Sequence, residues 1–146
     1  MTIRQAAEAD LPAVLAMSDA LIAEGCCNGM TPDTLEALRA CTIHVAEMDG
    51  ELVGYAYGEA TASTWNIGAC HKGETYYDLE MLYIKPSYRG KGIGRALFEA
   101  EESRARRLGA KQMRLFAVNR DWQRLLHLYI DELGFDFWAA TLYRDL

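Results

Sequence analysis

The stretch Tyr83-Ile84-Lys85-Pro86-Ser87-Tyr88-Arg89-Gly90-Lys91-Gly92-Ile93-Gly94-Arg95-Ala96-Leu97 constrains this chain more than any other. Its apolar start reads as a strand that Pro86 ends; alternating glycines follow, and a helix opens behind them. Glycine lets backbone amides converge with no Cβ in the way. Where such amides meet a helix N-terminus, the helix dipole completes an anion site suited to phosphate groups. Arg89, Lys91 and Arg95 surround that site with positive charge. The two commonest nucleotide loops are excluded: no third glycine completes Gly-x-Gly-x-x-Gly, and Gly-x-x-x-x-Gly-Lys-Ser/Thr is absent.

A length of 146 residues predicts one domain over residues 1–146, and 51% hydrophobic residues are enough for a core. The net charge of −6 argues against a dedicated nucleic-acid binder. That charge is unevenly spread. Residues 1–80 hold 3 Lys/Arg against 13 Asp/Glu, and residues 81–146 hold 12 against 8. The start of the chain lacks the apolar segment of a signal peptide, and no apolar run reaches the ~18 residues of a membrane span. Cys26, Cys27, Cys41 and Cys70 form no Cys-x-x-Cys pair, so four reduced thiols in a cytoplasmic protein are expected. His44, His71 and His127 are too scattered to suggest a metal site.

Along the chain, Thr2 to Ala6 reads as a strand, and a helix follows with Asp10 as N-cap and Pro12 in its first turn. Thr31-Pro32-Asp33 is expected to cap a second helix ending near Ala40. Asp49-Gly50 marks a hairpin between His44–Met48 and a strand from Glu51 to about Ala60. Thr61 to Thr75 reads as a long loop, and Tyr76 to Ile84 as the next strand. A helix from about Gly92 to Leu108 stops at Gly109, and a strand over Gln112 to Val118 follows. The last helix, from about Asp121 to Leu133, places Trp122, Leu125, Leu126, Tyr129 and Leu133 on one face. Phe135 to Arg144 supplies one or two closing strands. The order β-α-α-β-β-β-α-β-α-β(-β) implies an α/β fold with a mixed sheet and helices on both faces.

Taken together, these residues resemble the GCN5-related N-acetyltransferases (GNAT). Arg89-Gly90-Lys91-Gly92-Ile93-Gly94 is similar to that family's Arg/Gln-x-x-Gly-x-Gly/Ala loop, the hairpin falls where that fold has one, and Leu133-Gly134-Phe135 closes the last helix as expected. The resemblance covers essentially the whole chain. It implies an acetyl-CoA-dependent enzyme in which the Arg89–Gly94 amides, flanked by Arg95, hold the pyrophosphate. The backbone of Leu82, Tyr83 and Ile84 would pair with the pantetheine arm.

Acetylating an amine requires a base for the amine and an acid for the departing thiolate. Strict alternation puts Glu80 on one face with Leu82 and Ile84, opposite Leu79, Met81 and Tyr83. A carboxylate among apolar neighbours has a raised pKa, which suits a general base, and the resemblance implies the same role. Tyr129, by composition an aromatic on an apolar face, becomes the general acid by resemblance. Asn119 matches an Asn that touches the pantetheine arm in the family. Nine residues separate it from Tyr129, a longer interval than the family's usual one, which makes Tyr129 the firmer assignment. Arg124, with Arg120, is placed to meet the 3′-phosphate of CoA or simply to face solvent.

Acceptor choice is expected from the first helix pair and the 61–75 loop, which contain Asp19, Glu24, Cys26, Cys27, Asn28, Trp65, His71 and Glu74. Tyr76, Tyr77 and Asp78 are open to two readings, channel lining or strand packing. The acidic bias is open to two readings, attraction for a small cationic amine as acceptor or ordinary surface acidity that keeps the chain in solution. No metal, nucleic acid or membrane enters this reading, and a homodimer is left open. The alternatives are a non-catalytic acyl-CoA-binding sensor and a protein or peptide N-acetyltransferase.

Overall fold

In the computed structural model, which describes residues 1–27, 29–118 and 120–140, five strands line up in the order in which the chain makes them. They are β1 (Thr2–Gln5), β2 (Ile43–Met48), β3 (Glu51–Ala62), β4 (Thr75–Ile84) and β5 (Met113–Leu115). Each of the first four is antiparallel to its neighbour, and β5 lies parallel to β4. A parallel neighbour needs a crossover, and α3 (Ile93–Arg107) provides it. The β2–β3 turn is Asp49-Gly50, with φ of 52° and 81°, the left-handed pair that a two-residue hairpin demands.

Alternation along the strands, reset at Val53 where the β2–β3 register shifts, sorts side chains into two layers. On one face Val45, Tyr55, Tyr57, Met81 and Tyr83 pack against α1 (Leu11–Ala23) and α2 (Leu35–Ala40). Leu11, Val14, Met17 and Leu21 recur at helical spacing along α1 and, with Leu38 of α2, close this layer. On the other face Ala46, Val53 and Ala56 meet Ile93 and Leu97 of α3, with Leu82 and Ile84 partly buried beside them.

Several boundaries differ from the sequence expectation. Thr34, not Thr31-Pro32-Asp33, caps α2: its Oγ1 accepts from the Ala37 amide at 3.1 Å. Asp10 makes no side-chain cap to α1; it accepts instead from the Ala7 amide (2.7 Å) and from Arg4 Nη1 (2.6 Å). The loop after β3 is shorter than expected, because Thr61, Ala62 and Thr75 are strand residues. It is also tied down, with Ser63 and Glu74 joined by a backbone bond and Cys70 fully buried. Strand β5 covers only three of the seven residues expected. The last helix begins as α4 (Trp122–Leu126) and widens into a π-helical turn over His127–Glu132. Trp122 is 55% exposed and so does not share the buried face with Tyr129. Residues 135–140 form no strand, and the rest of the expected closing strands lies outside the described residues.

Candidate active site

Strands β3 and β4 pair regularly down to Tyr57 opposite Met81, and then Gly58 stands opposite Leu79. Glu80 is the extra residue of a β-bulge. The strands close tightly there: a Cβ on Gly58 would lie 2.2 Å from the Asp78 carbonyl oxygen and 3.0 Å from Leu79 Cα. Only glycine fits. The bulge also inverts the facing of β4. Tyr77, before it, bonds to α3, whereas Met81 and Tyr83, after it, pack with α1 and α2. Simple alternation across residues 79–84 therefore fails, and Glu80 does not share the apolar surroundings of Leu82 and Ile84.

Glu80 instead opens into a cleft of about 310 Å³ whose lining includes Cys41, Thr42, Glu59, Ala60 and Arg104. Partial burial raises its pKa first, and the charges of Glu59, Asp78 and Asp33 raise it further. The Asp78 pKa is raised for the same reasons, burial and then Glu59. Asp33, beneath them, accepts hydrogen bonds from Ser18 Oγ (2.9 Å) and from the Tyr57 hydroxyl (2.7 Å).

Beside the bulge the sheet opens. Strand β5 pairs with β4 only across Tyr77–Leu79, so the β4 edge from Glu80 to Ile84 is left uncovered by β5. That edge leads into the glycine loop. Gly90 and Gly92 have φ of 74° and 78°, and Gly92 forms the N-cap of α3. A Cβ at either would meet nothing within 4 Å, so the loop faces open space. Gly94 differs: a Cβ there would come within 3.3 Å of Ile84 Cδ1, and this glycine serves the packing of α3 on β4. Ile93 is buried, and only its backbone is available to a ligand. The loop fits a phosphate-bearing group, with glycine amides and a 15-residue helix N-terminus beside an open edge.

The cations of this loop are partly committed to the protein. Arg89 Nη2 binds both Glu24 oxygens (2.8 and 2.9 Å), and its Nε donates to the Ile84 carbonyl at 2.9 Å. Glu24 also accepts from the Tyr83 hydroxyl, so the Tyr83 side chain belongs to the α1 layer. Lys91 Nζ donates to the Ser87 carbonyl (3.2 Å), and Arg95 to the Glu132 carbonyl (3.1 Å). This last bond joins the start of α3 to the π-helical turn that carries Tyr129.

Tyr129 is buried, with its ring edge-on to Phe135 at 5.7 Å; Phe135 in turn meets Phe98 at the same separation. Burial pushes the Tyr129 phenol up to about 12. Its hydroxyl makes no hydrogen bond among the described residues. Tyr129 does not line the Glu80 cleft, so the structure does not bring the two candidates into one pocket. Arg124 is exposed on α4, and Asn119 lies outside the described residues, as does Asn28. Glu24, expected on the acceptor side, is taken up by Arg89 and Tyr83. His71 and Glu74 are bound up in their own loop, where the His71 amide donates to Glu74 Oε2.

A second cluster was not anticipated from the sequence. Glu101 of α3 is fully buried and accepts from His44 Nδ1 (2.7 Å) and from the Tyr77 hydroxyl. Arg104 Nη1 donates to that hydroxyl at 2.5 Å and to the Gly58 carbonyl at 2.7 Å. The only signal in the sequence is an acidic residue on the apolar stripe of α3. Its partners come from strands remote in sequence.

Residues 17–135 match the acetyltransferase (GNAT) family. Among curated relatives, a thialysine N-epsilon-acetyltransferase of Bos taurus is 38% identical over 79 residues, covering 53% of this chain and 41% of the relative. The chain thus aligns with less than half the length of that relative. Among solved structures, an aminoglycoside N-acetyltransferase in complex with CoA superposes with a TM-score of 0.71 at 21% identity, covering 99% of both chains. A Trypanosoma brucei acetyltransferase gives 0.69 at 22% identity with 99% of both chains covered. A Vibrio fischeri acetyltransferase gives 0.65 at 25% identity, over 79% of this chain and 94% of the other.

Proposed function

The chain belongs to the acetyltransferase (GNAT) family, and from that premise we propose that it is an acetyl-CoA-dependent N-acetyltransferase acting directly on a primary amine of a small cationic metabolite. A single domain over residues 1–146 carries the activity. Acetyl-CoA, when bound, supplies the acetyl group as a thioester. The amides of Gly90 to Gly94, at the N-terminus of α3, hold its phosphates, and Lys91 and Arg95 add charge beside them. The uncovered β4 edge at Leu82–Ile84 orients the arm that carries the thioester.

Glu80 takes the proton from the incoming ammonium. A raised pKa matches a carboxylate to that task near neutral pH. Tyr129 keeps its proton at neutral pH, because burial raises its phenol, and gives that proton to the departing thiolate sulfur. Asp33, Glu59, Asp78 and Glu80 gather negative charge around the bulge, which supports a cationic acceptor.

The observation that carries this reading is the β4 edge left unpaired by β5 beyond the bulge and running into the glycine loop. The test is thiol release from acetyl-CoA with a panel of amines. Release with a small cationic amine is the expected result. Tight acyl-CoA binding without release on any amine would instead make the protein a sensor, and release only with peptides would move it to the protein-modifying class.

A further inference from the structure

The Glu80 cleft is not uniformly acidic. Arg104 stands among its walls with Glu59, Glu80, Cys41 and Thr42, and it is the one cation among the described lining residues. Its guanidinium is held in place: Nη1 is fixed by the Gly58 carbonyl and the Tyr77 hydroxyl, and the group lies 5.5 Å from the Tyr77 ring centroid. Arg4, Arg39, Arg89, Arg95 and Arg106 are each paired with a carboxylate. Arg104 makes no such pair among the described residues, although two glutamates share its cleft. Glu101, one turn back on α3, spends its oxygens on His44 and Tyr77. The Nε and Nη2 donors of Arg104 have no hydrogen-bond partner among the described residues. No buried side-chain donor there lacks a partner either, so these two remain accessible.

A rigid guanidinium with a free two-donor edge, beside a cleft, matches a carboxylate in geometry as well as charge. A polycation gains nothing from it and is repelled at that wall. We propose that Arg104 is a carboxylate subsite of the acceptor cleft, and that the acceptor is an amino acid with its reacting amine toward Glu80 and its carboxylate on Arg104. The inference rests on the acetyltransferase reading and narrows its substrate class. Arg104 is then a specificity residue and takes no part in proton transfer.

Matched acceptors test it: lysine against cadaverine and ornithine against putrescine, each pair differing by one carboxylate. The expected result is a kcat/KM at least about tenfold higher for the carboxylate-bearing member, as a charge-assisted bidentate contact gives. In Arg104→Gln that ratio falls toward one, and Arg104→Lys, which keeps the charge without the fork, retains part of it. Loosening of the bulge would lower both members of a pair together, so the ratio isolates the subsite. Tyr77→Phe, which removes one of the two supports of Arg104 Nη1 and leaves its charge, lowers the ratio in part. Equal rates for both members in the parent protein, or an unchanged ratio in Arg104→Gln, overturn the proposal. Turnover of other amines but of neither pair also overturns it and leaves acetyl transfer standing, whereas no thiol release with any amine removes the reading beneath it.

Discussion

Glu80 is an exposed strand residue, but the partial cover of the cleft and three neighbouring carboxylates all favour its protonated form. A folded-state pKa above the ordinary 4.5 has a definite consequence for stability. Between those two values the folded protein holds a proton that the unfolded chain has lost, so stability falls as pH rises through the window. At neutral pH the ionised group opposes folding. Glu80→Gln is therefore expected to raise the melting temperature at pH 7 while lowering turnover by about 10²-fold. The acid limb of the pH–rate profile should vanish with it. Near-normal turnover in this variant removes Glu80 as the base. Tyr129 allows a cleaner substitution, because its hydroxyl has no described protein partner while its ring packs on Phe135. Tyr129→Phe should melt within about 1 °C of the parent and lose roughly tenfold or more in kcat. Full activity would exclude the phenol as the acid.

At the scale of elements, the bulge between β3 and β4 depends on a missing side chain. Gly58→Ala puts a methyl 2.2 Å from the Asp78 carbonyl oxygen, which backbone must move to relieve. We expect a loss of about 2–3 kcal/mol in chemical denaturation, in the range of overpacked sites, and a fall in kcat as Glu80 shifts. A variant of parental stability and activity would show that the ladder adapts freely. This device also marks where the sequence stopped being legible. The Asp49-Gly50 turn, the start of α3 near Gly92 with its stop at Gly109, and the helical spacing of the apolar residues of α1 are local patterns, each legible in its own residues. The bulge is a relation between residues more than twenty apart, and alternation alone misassigned the surroundings of Glu80. Arg89 belongs to the same class. Its charge suggested a phosphate ligand, but Glu24 and the Ile84 carbonyl, distant in sequence, claim much of it. Strand β5 is shorter than its apolar residues suggest because its pairing with β4 ends at Leu115, and Phe116 beyond it is 90% exposed.

Over the whole molecule, the uneven charge of the chain acquires a spatial meaning. The acidic first 80 residues supply Glu59 and Glu80 to the cleft, with the charges of Asp33 and Asp78 acting on Glu80, and the basic remainder supplies the glycine loop and α3. Under the proposed function, fields of opposite sign would guide acetyl-CoA and a cationic acceptor to different parts of the molecule. Salt should weaken that guidance: raising ionic strength from about 50 to about 500 mM is expected to raise the KM of a cationic acceptor several-fold. A KM indifferent to salt would mean that the acidic cleft does not steer the acceptor. The bulge has one further consequence, at the level of the gene. Leu79 and Met81 already face opposite layers, as adjacent strand residues do. Loss of the single codon for Glu80 would therefore heal the ladder without turning any neighbour to the wrong side. The deleted protein should melt as cooperatively as its parent while losing turnover. Loss of Leu82 instead would rotate the end of β4 against both cores. Glu80 is thus a position in this strand whose loss leaves both layers as they stand, whereas loss of a regularly paired neighbour such as Leu82 does not.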